Sequence, residues 1–316
     1  MNSMEVLRQR QLLPLDAKIE MTKRRIKEWH EHYWGDVYVA FSGGKDSCVL
    51  RHIVNSMYDN IPSVFSNTGL EYPEIVDFVK TLDGVTVVRP KRTFREVVLT
   101  EGYPIISKLK ARMIRELQNP KDSNAQTRKL YEFGIRKDGT ESPNMKLSKK
   151  WLHLKDADFK VSEKCCDYLK KEPLERYTRE SGRKPMTAMM ADEGGARSLQ
   201  HTCNLYDAKK PISSPMLFWT TEDVWAYIRK FNVPYSKIYD MGEKRTGCMF
   251  CMFGVHLEGN ENNRFQRMEK THPKQHNYCI EKLGMGKVLD TIGVKYEANG
   301  KNQMEMFKEE QGAENE

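Results

Sequence analysis

A short apolar run, Val37-Tyr38-Val39-Ala40-Phe41, passes directly into Ser42-Gly43-Gly44-Lys45-Asp46-Ser47 and then into Cys48-Val49-Leu50. The order is buried strand, glycine-rich turn, helix start, which builds an anion cradle from backbone N–H groups. Two glycines let the backbone approach a phosphate closely, Lys45 adds a fixed positive charge, and Ser42 and Ser47 offer hydroxyls. A Walker A loop requires Gly-x-x-x-x-Gly-Lys-Ser/Thr, and a dinucleotide fingerprint requires Gly-x-Gly-x-x-Gly. The six residues match neither. A bare Gly-Gly-Lys is also an ordinary turn, but the flanking strand and helix favour the cradle.

The surrounding pattern predicts the fold class. Apolar residues at helical spacing (Leu15, Ile19, Ile26, Trp29) mark an amphipathic helix over 14–33. Strands are expected at about 36–41, 61–66 and 84–88, with helices after the loop and from Pro73, where proline suits a first turn. Another strand is expected at 184–191, and Thr220 or Thr221 caps a helix through Ile228. This alternation implies βαβ units in a doubly wound, mostly parallel α/β sheet. Ligands of such sheets lie at the carboxyl ends of strands, where the Ser42 loop falls. Residues 105–160 lose the rhythm and read as a helical, irregular insertion. The expected organisation is an N-terminal helix (1–35), a nucleotide-binding domain (36–255), a helical extension (256–296) and a frayed polar tail (297–316). Trp29, Tyr33 and Trp34 would allow the N-terminal helix to dimerise.

The chain of 316 residues carries 52 Lys and Arg against 44 Asp and Glu. The excess concentrates at 108–150, in Lys108, Lys110, Arg112, Arg115, Lys121, Arg128, Lys129, Arg136, Lys137, Lys146, Lys149 and Lys150. Such a segment suits a polyanion, nucleic acid included; the bland alternative is a solvated lysine-rich surface. No stretch approaches the ~20 apolar residues of a membrane span, and no signal peptide is seen, so no membrane partner and a cytoplasmic location are expected.

Seven cysteines in such a chain argue for metal, cluster or thiol chemistry rather than a disulfide framework. Cys165 and Cys166 are adjacent, and Cys248-Met249-Phe250-Cys251 forms a Cys-x-x-Cys. Adjacent cysteines bond each other only through a strained ring. Four soft thiolates suit zinc or a 4Fe–4S cluster; the tandem pair favours the cluster, since zinc ribbons use two Cys-x-x-Cys knuckles. Lys164, Lys244 and Arg245 would stabilise the thiolates.

Here the chain resembles a known family. The Ser42–Ser47 loop resembles the pyrophosphate loop of adenine-nucleotide α-hydrolase-like enzymes. The whole of 36–255 resembles phosphoadenylyl/adenylyl sulfate (PAPS) reductases, above all the cluster-bearing kind found in phages and mobile elements. The likeness rests also on Cys165-Cys166 with the stretch to Leu174, Gly247-Cys248-Met249-Phe250-Cys251, Ser66–Glu74, Trp219–Ile228 and Asn232–Tyr235. It implies that Asn67, Thr68 and Gly69 border an adenine nucleotide and that the four cysteines hold a 4Fe–4S cluster. Two features depart. The reductases' Glu-Cys-Gly-x-His segment is not found; Cys279 is the candidate substitute nucleophile, although an isolated cysteine at helical spacing is more often a core residue. Ala191–Ser198 only loosely matches the substrate segment, leaving Arg197 as its anion-binding candidate.

Three functions are therefore expected. In the first, ATP with Mg²⁺, met by Lys45 and Asp46, adenylates a substrate that then receives sulfur, with Cys203 or the cluster delivering it, a cysteine desulfurase supplying it, and nucleic acid gripped by the basic segment. In the second, adenylyl sulfate is reduced to sulfite by a thiol such as Cys279, regenerated by thioredoxin. The third is a non-catalytic nucleotide-sensing or nucleic-acid-binding module, against which the intact loop and cysteine quartet both weigh.

Overall fold

A computed structural model describes residues 3–194, 197 and 200–298. Most of the tail expected at 297–316 lies outside them, as do Gly195, Ala196 and Ser198. Among the described residues eight strands are formed: β1 (Val37–Phe41), β2 (Ser63–Ser66), β3 (Val85–Val88), β4 (Ile105–Ile106), β5 (Lys184–Met186), β6 (Asn204–Leu205), β7 (Ile212–Ser213) and β8 (Met252–Phe253). The strand expected over 184–191 ends at Met186. The chain divides into two compact units, Met1–Lys91 with Leu169–Thr246, and Arg92–Tyr168 with Gly247–Glu316. The insertion expected at 105–160 and the extension expected at 256–296 fall in the same, second unit.

The first unit is built on a six-stranded sheet in the order β3-β2-β1-β5-β7-β6. All its pairings are parallel except β6 with β7. This is the expected α/β sheet. From β1 the chain first builds outward through β2 and β3, then returns to lay β5 on the other flank of β1. The reversal makes the carboxyl ends of β1 and β5 the topological switch point, where open α/β sheets bind ligands.

Burial explains why β1 is central. Val37 and Val39 are fully buried, and the helix Lys45–Asn55 turns Val49, Leu50 and Ile53 into the same core. The helix Leu15–His32 is tied to this unit by a feature its charge pattern conceals. Lys18 is buried; its Nζ lies 2.5 Å from Asp223 Oδ2 and donates to the Gln11 carbonyl at 2.7 Å. An unpaired charge at such depth costs about 3–5 kcal/mol, so Asp223 is needed there. Asp223 also completes the capping box with Thr220 that starts the helix Thr221–Phe231. Trp219 Nε1 donates to Thr22 Oγ1 at 2.9 Å. Of the aromatics expected on a dimerising surface, Trp29 is fully buried against Tyr33 and Tyr206, because the apolar stripe of the helix packs within its own unit, whereas Trp34 is 93% exposed.

The second unit is largely helical. Its strands β4 and β8 pair in parallel, Ile105 with Met252 and Ile106 with Phe253. β8 directly follows Cys251 in the chain. Ile106 adopts φ +62°, a left-handed conformation costly for a β-branched residue, and its carbonyl accepts from Gly254 N at 2.8 Å. No helix among the described residues is long and apolar enough to cross a membrane.

Candidate functional site

At the carboxyl end of β1 the Ser42–Ser47 turn is held from within and from both sides. Gly43 has φ +72°, and a Cβ there would stand 2.7 Å from Ile75 Cγ2 on the helix Pro73–Lys80. Gly44 has φ −78°, open to any residue, yet its Cβ would stand 2.6 Å from Thr246 Oγ1 and 3.2 Å from the Tyr239 hydroxyl. Conformation requires the first glycine and space the second. The serines bond the turn itself: Ser42 N and Gly44 N donate to Ser47 Oγ and Ser42 Oγ at 3.2 and 3.3 Å, and Ser47 Oγ donates to the Gly44 carbonyl at 2.8 Å. The serine hydroxyls expected to face a ligand therefore shape its cradle first.

The helix that follows starts at Lys45, so its first N–H groups lack intrahelical acceptors. The Lys45 N–H donates instead to the Tyr239 hydroxyl at 2.8 Å, and that oxygen lies 3.0 Å from Thr246 Oγ1. Burial holds the Tyr239 phenol neutral by raising its pKa. Tyr239 thus occupies a donor that an oxyanion at a helix N-terminus uses. Sequence reasoning missed this residue; nothing local marks it, because its partner is 194 positions away. Lys45 is buried, with Nζ 2.8 Å from Asp46 Oδ1. The pair keeps a cation in the cradle without leaving a bare charge.

Asn67, Thr68 and Gly69 lie at the carboxyl end of neighbouring β2. Thr68 donates to Glu71 through both N and Oγ1, at 2.9 and 2.7 Å, and Gly69 N donates to Asn67 Oδ1 at 3.0 Å. The sheet therefore brings this turn beside the loop as a preformed edge. Arg197 is half-exposed and pairs with the Glu193 carboxylate. Cys203 immediately precedes edge strand β6, with β5 and β7 between that strand and β1, so it is not brought to the loop.

The four cysteines expected to bind a metal all belong to the second unit. None is in a disulfide, and the Cys165 and Cys166 sulfurs are 3.9 Å apart. The Cys165 thiol is driven well above its ordinary range, first by its hydrogen bond with Cys166, then by burial and by the charges of Cys166, Cys251 and Cys248. The two pairs therefore share one neighbourhood. Among the described residues no three His, Cys, Asp or Glu side chains form a ready-made metal cage. The donor set still fits a thiolate-bound group: four soft ligands outside any disulfide, whose ionisation beside one another a bound cation would favour. Arg264 Nη1 donates to the Cys251 carbonyl at 2.9 Å, steadying that knuckle. Lys164, expected to serve the thiolates, has Nζ 3.2 Å from Glu101 Oε2, a carboxylate it shares with Arg92. Lys244 and Arg245 are exposed in the first unit.

The remaining cysteines are buried and disfavoured as thiolates. Burial pushes the Cys48 thiol up to about 12 and raises those of Cys203 and Cys279. Cys279 is fully buried in the turn Tyr278–Lys282. Burial and protonation set both Cys203 and Cys279 against the sulfur-handling role for which each is a candidate beside a plain structural one.

Comparison with known proteins follows this geometry. The model of the phosphoadenosine phosphosulfate reductase domain matches residues 36–112 and 123–253. The chain belongs to that family. An uncharacterized protein of Methanocaldococcus jannaschii is 24% identical over 265 residues, covering 82% of this chain and 51% of that protein. The chain thus spans about half the length of this relative. An adenosine 5′-phosphosulfate reductase of Anoxybacillus flavithermus is 25% identical over 255 residues, 80% of this chain and 88% of the enzyme. Among solved structures, the U34-tRNA thiolase NcsA of Methanococcus maripaludis with its [4Fe-4S] cluster has a TM-score of 0.38 at 16% identity, covering 86% of this chain and 79% of that one.

Two measurements check the family site. Gly44→Ala is expected to lower the unfolding free energy by about 1–3 kcal/mol through overpacking, and Gly44→Ala/Thr246→Ala to recover most of it in urea denaturation. A neutral Gly44→Ala would refute the close approach. Protein purified anaerobically is expected to carry iron with visible thiolate-to-iron absorbance, lost in Cys165→Ser and in Cys251→Ser. Zinc in its place would replace the cluster assignment, and wild-type protein free of either metal would remove it.

Proposed function

We propose that this PAPS-reductase-family chain uses ATP to adenylate an oxygen of a nucleic-acid substrate and then exchanges that oxygen for sulfur. The Ser42–Ser47 loop takes the β- and γ-phosphates. Lys45 and the helix N–H groups neutralise the charge that develops on pyrophosphate as it leaves. The substrate oxygen attacks the α-phosphorus, the bond from that phosphorus to the bridging oxygen breaks, and pyrophosphate departs with the electron pair. A hydrosulfide-level donor then attacks the activated centre, and AMP leaves with the oxygen. No net redox change occurs.

Asp46, the one acid in the loop, would meet Mg²⁺ carried by the triphosphate once Lys45 turns to phosphate. Asn67, Thr68 and Gly69 border the nucleotide from β2, and Arg197 remains a candidate for its anionic groups. Cys165, Cys166, Cys248 and Cys251 would hold the cluster. Held by four thiolates, a 4Fe–4S cluster would have every iron capped, so it would supply a structural, redox-active centre rather than an open iron for the sulfur donor. The exposed cations Lys108, Arg112, Lys121, Lys129, Arg136, Lys137, Lys146, Lys149 and Lys150 suit the phosphates of the acceptor.

The observation that carries this reading over reduction is the state of the spare thiols. Adenylyl sulfate reduction moves two electrons from thiols to sulfur and begins with an accessible thiolate attacking it. Cys48, Cys203 and Cys279 are all buried with raised pKa values. The reductases among the relatives favour the second reading, sulfite formation with a thiol donor such as thioredoxin.

An anaerobic assay of the reconstituted protein separates the two. Given ATP, a hydrosulfide donor and RNA, it is expected to release pyrophosphate and AMP. Sulfite from adenylyl sulfate, lost in Cys279→Ser, would establish the reductase instead. Neither product would leave only a binding module.

A further inference from the structure

We infer that Phe133 is a stacking platform for an unpaired base, so that the acceptor is engaged as a single strand; this deepens the nucleic-acid reading above and rests on it. Phe133 is 58% exposed at the end of the helix Ala125–Phe133, and among the described residues its ring has no aromatic partner. Leaving so large an apolar face in water forgoes burial energy, which a partner's π-face can return.

The ring is presented on a firm base. Gly134, at φ +81°, ends the helix, and the chain turns into a hairpin bridged between Ile135 and Glu141. Ser142 N donates to the Gly134 carbonyl at 2.6 Å, and Leu147 N donates to the Tyr131 carbonyl at 2.7 Å. These bonds strap the following segment along the helix end.

The surroundings are cationic. Lys129 lies one turn before Phe133 on the same helix face. Arg136 and Lys137 follow in the hairpin, both exposed. Lys146 packs beside Gly134, its Cβ 3.4 Å from where a Cβ on that glycine would stand. Three acids lie in the same stretch: Glu132 pairs with Lys155 Nζ at 2.8 Å, Asp138 accepts from Thr140 N and Oγ1 at 3.0 and 2.6 Å, and Glu141 is bridged to Ile135 in the hairpin.

A lone aromatic ringed by lysine and arginine is the composition of single-strand binders, in which cations follow the backbone and rings stack bases. A hydrophobic protein partner would call for a continuous apolar patch instead. Duplex alone would need the charges but not the ring, because paired bases are already stacked.

The test is fluorescence anisotropy with the full chain and a labelled single-stranded RNA of about twelve nucleotides, near one single-strand site, beside its duplex. Phe133→Ala is expected to weaken single-strand binding about tenfold, leave duplex binding within about twofold, and keep its salt slope. Phe133→Trp should retain single-strand affinity. Lys129→Ala/Lys137→Ala should flatten the slope of log K on log salt by about 1.4, at ~0.7 per phosphate contact. Unchanged single-strand binding in Phe133→Ala, or equal loss for both forms, overturns the inference while the nucleic-acid reading stands. Wild-type protein that binds neither form at about 50 mM salt overturns both.

Discussion

The tight fit around Gly43 and Gly44 is the constraint from which the rest of the first unit follows. A side chain on the first glycine would run into Ile75, and one on the second into Thr246 and Tyr239, so the turn admits no side chain at either position. That fit aims the N-terminus of the helix Lys45–Asn55 past the carboxyl end of β1, and the sheet order makes that end the switch point. The adjustable parts are side chains, chiefly the Tyr239 hydroxyl on Lys45 N and the Lys45–Asp46 pair. Both are polar contacts that an incoming oxyanion can take over at similar energy.

The thiols follow a different logic. Cysteines buried singly, as at positions 48, 203 and 279, behave as small core residues and resist ionisation. Cys165 instead shares its neighbourhood with Cys166, Cys248 and Cys251, and ionising it beside them is costly unless something positive joins them. Ile106, in its left-handed conformation, pairs with Phe253 on the strand that follows Cys251.

Much of this was legible in the sequence. The strands at 37–41, 63–66 and 85–88 and the helix after the loop were readable because apolar runs alternate with strong turn residues over lengths that periodicity can resolve. The loop and the quartet were readable because their chemistry is contiguous or nearly so. Strands of two residues, such as Asn204–Leu205 and Ile212–Ser213, carry no period and went unseen. The burial of Lys18 was not legible, because nothing near it names Asp223, 205 positions on. Tyr239 was hidden for the same reason. The pairing of 92–168 with the C-terminal stretch is likewise a contact between remote segments, which local pattern does not report.

The central claim is that the Ser42–Ser47 loop binds the charged oxygens of an adenosine compound, and calorimetry tests it most directly. ATP with Mg²⁺, and separately adenylyl sulfate, are titrated into the full chain and into its Lys45→Ala variant. Saturable heat is predicted for at least one of them with the wild type, weakened about 10- to 100-fold without the lysine, the loss expected for a charge-assisted contact. No heat from either compound, or equal affinity in the variant, would contradict the account.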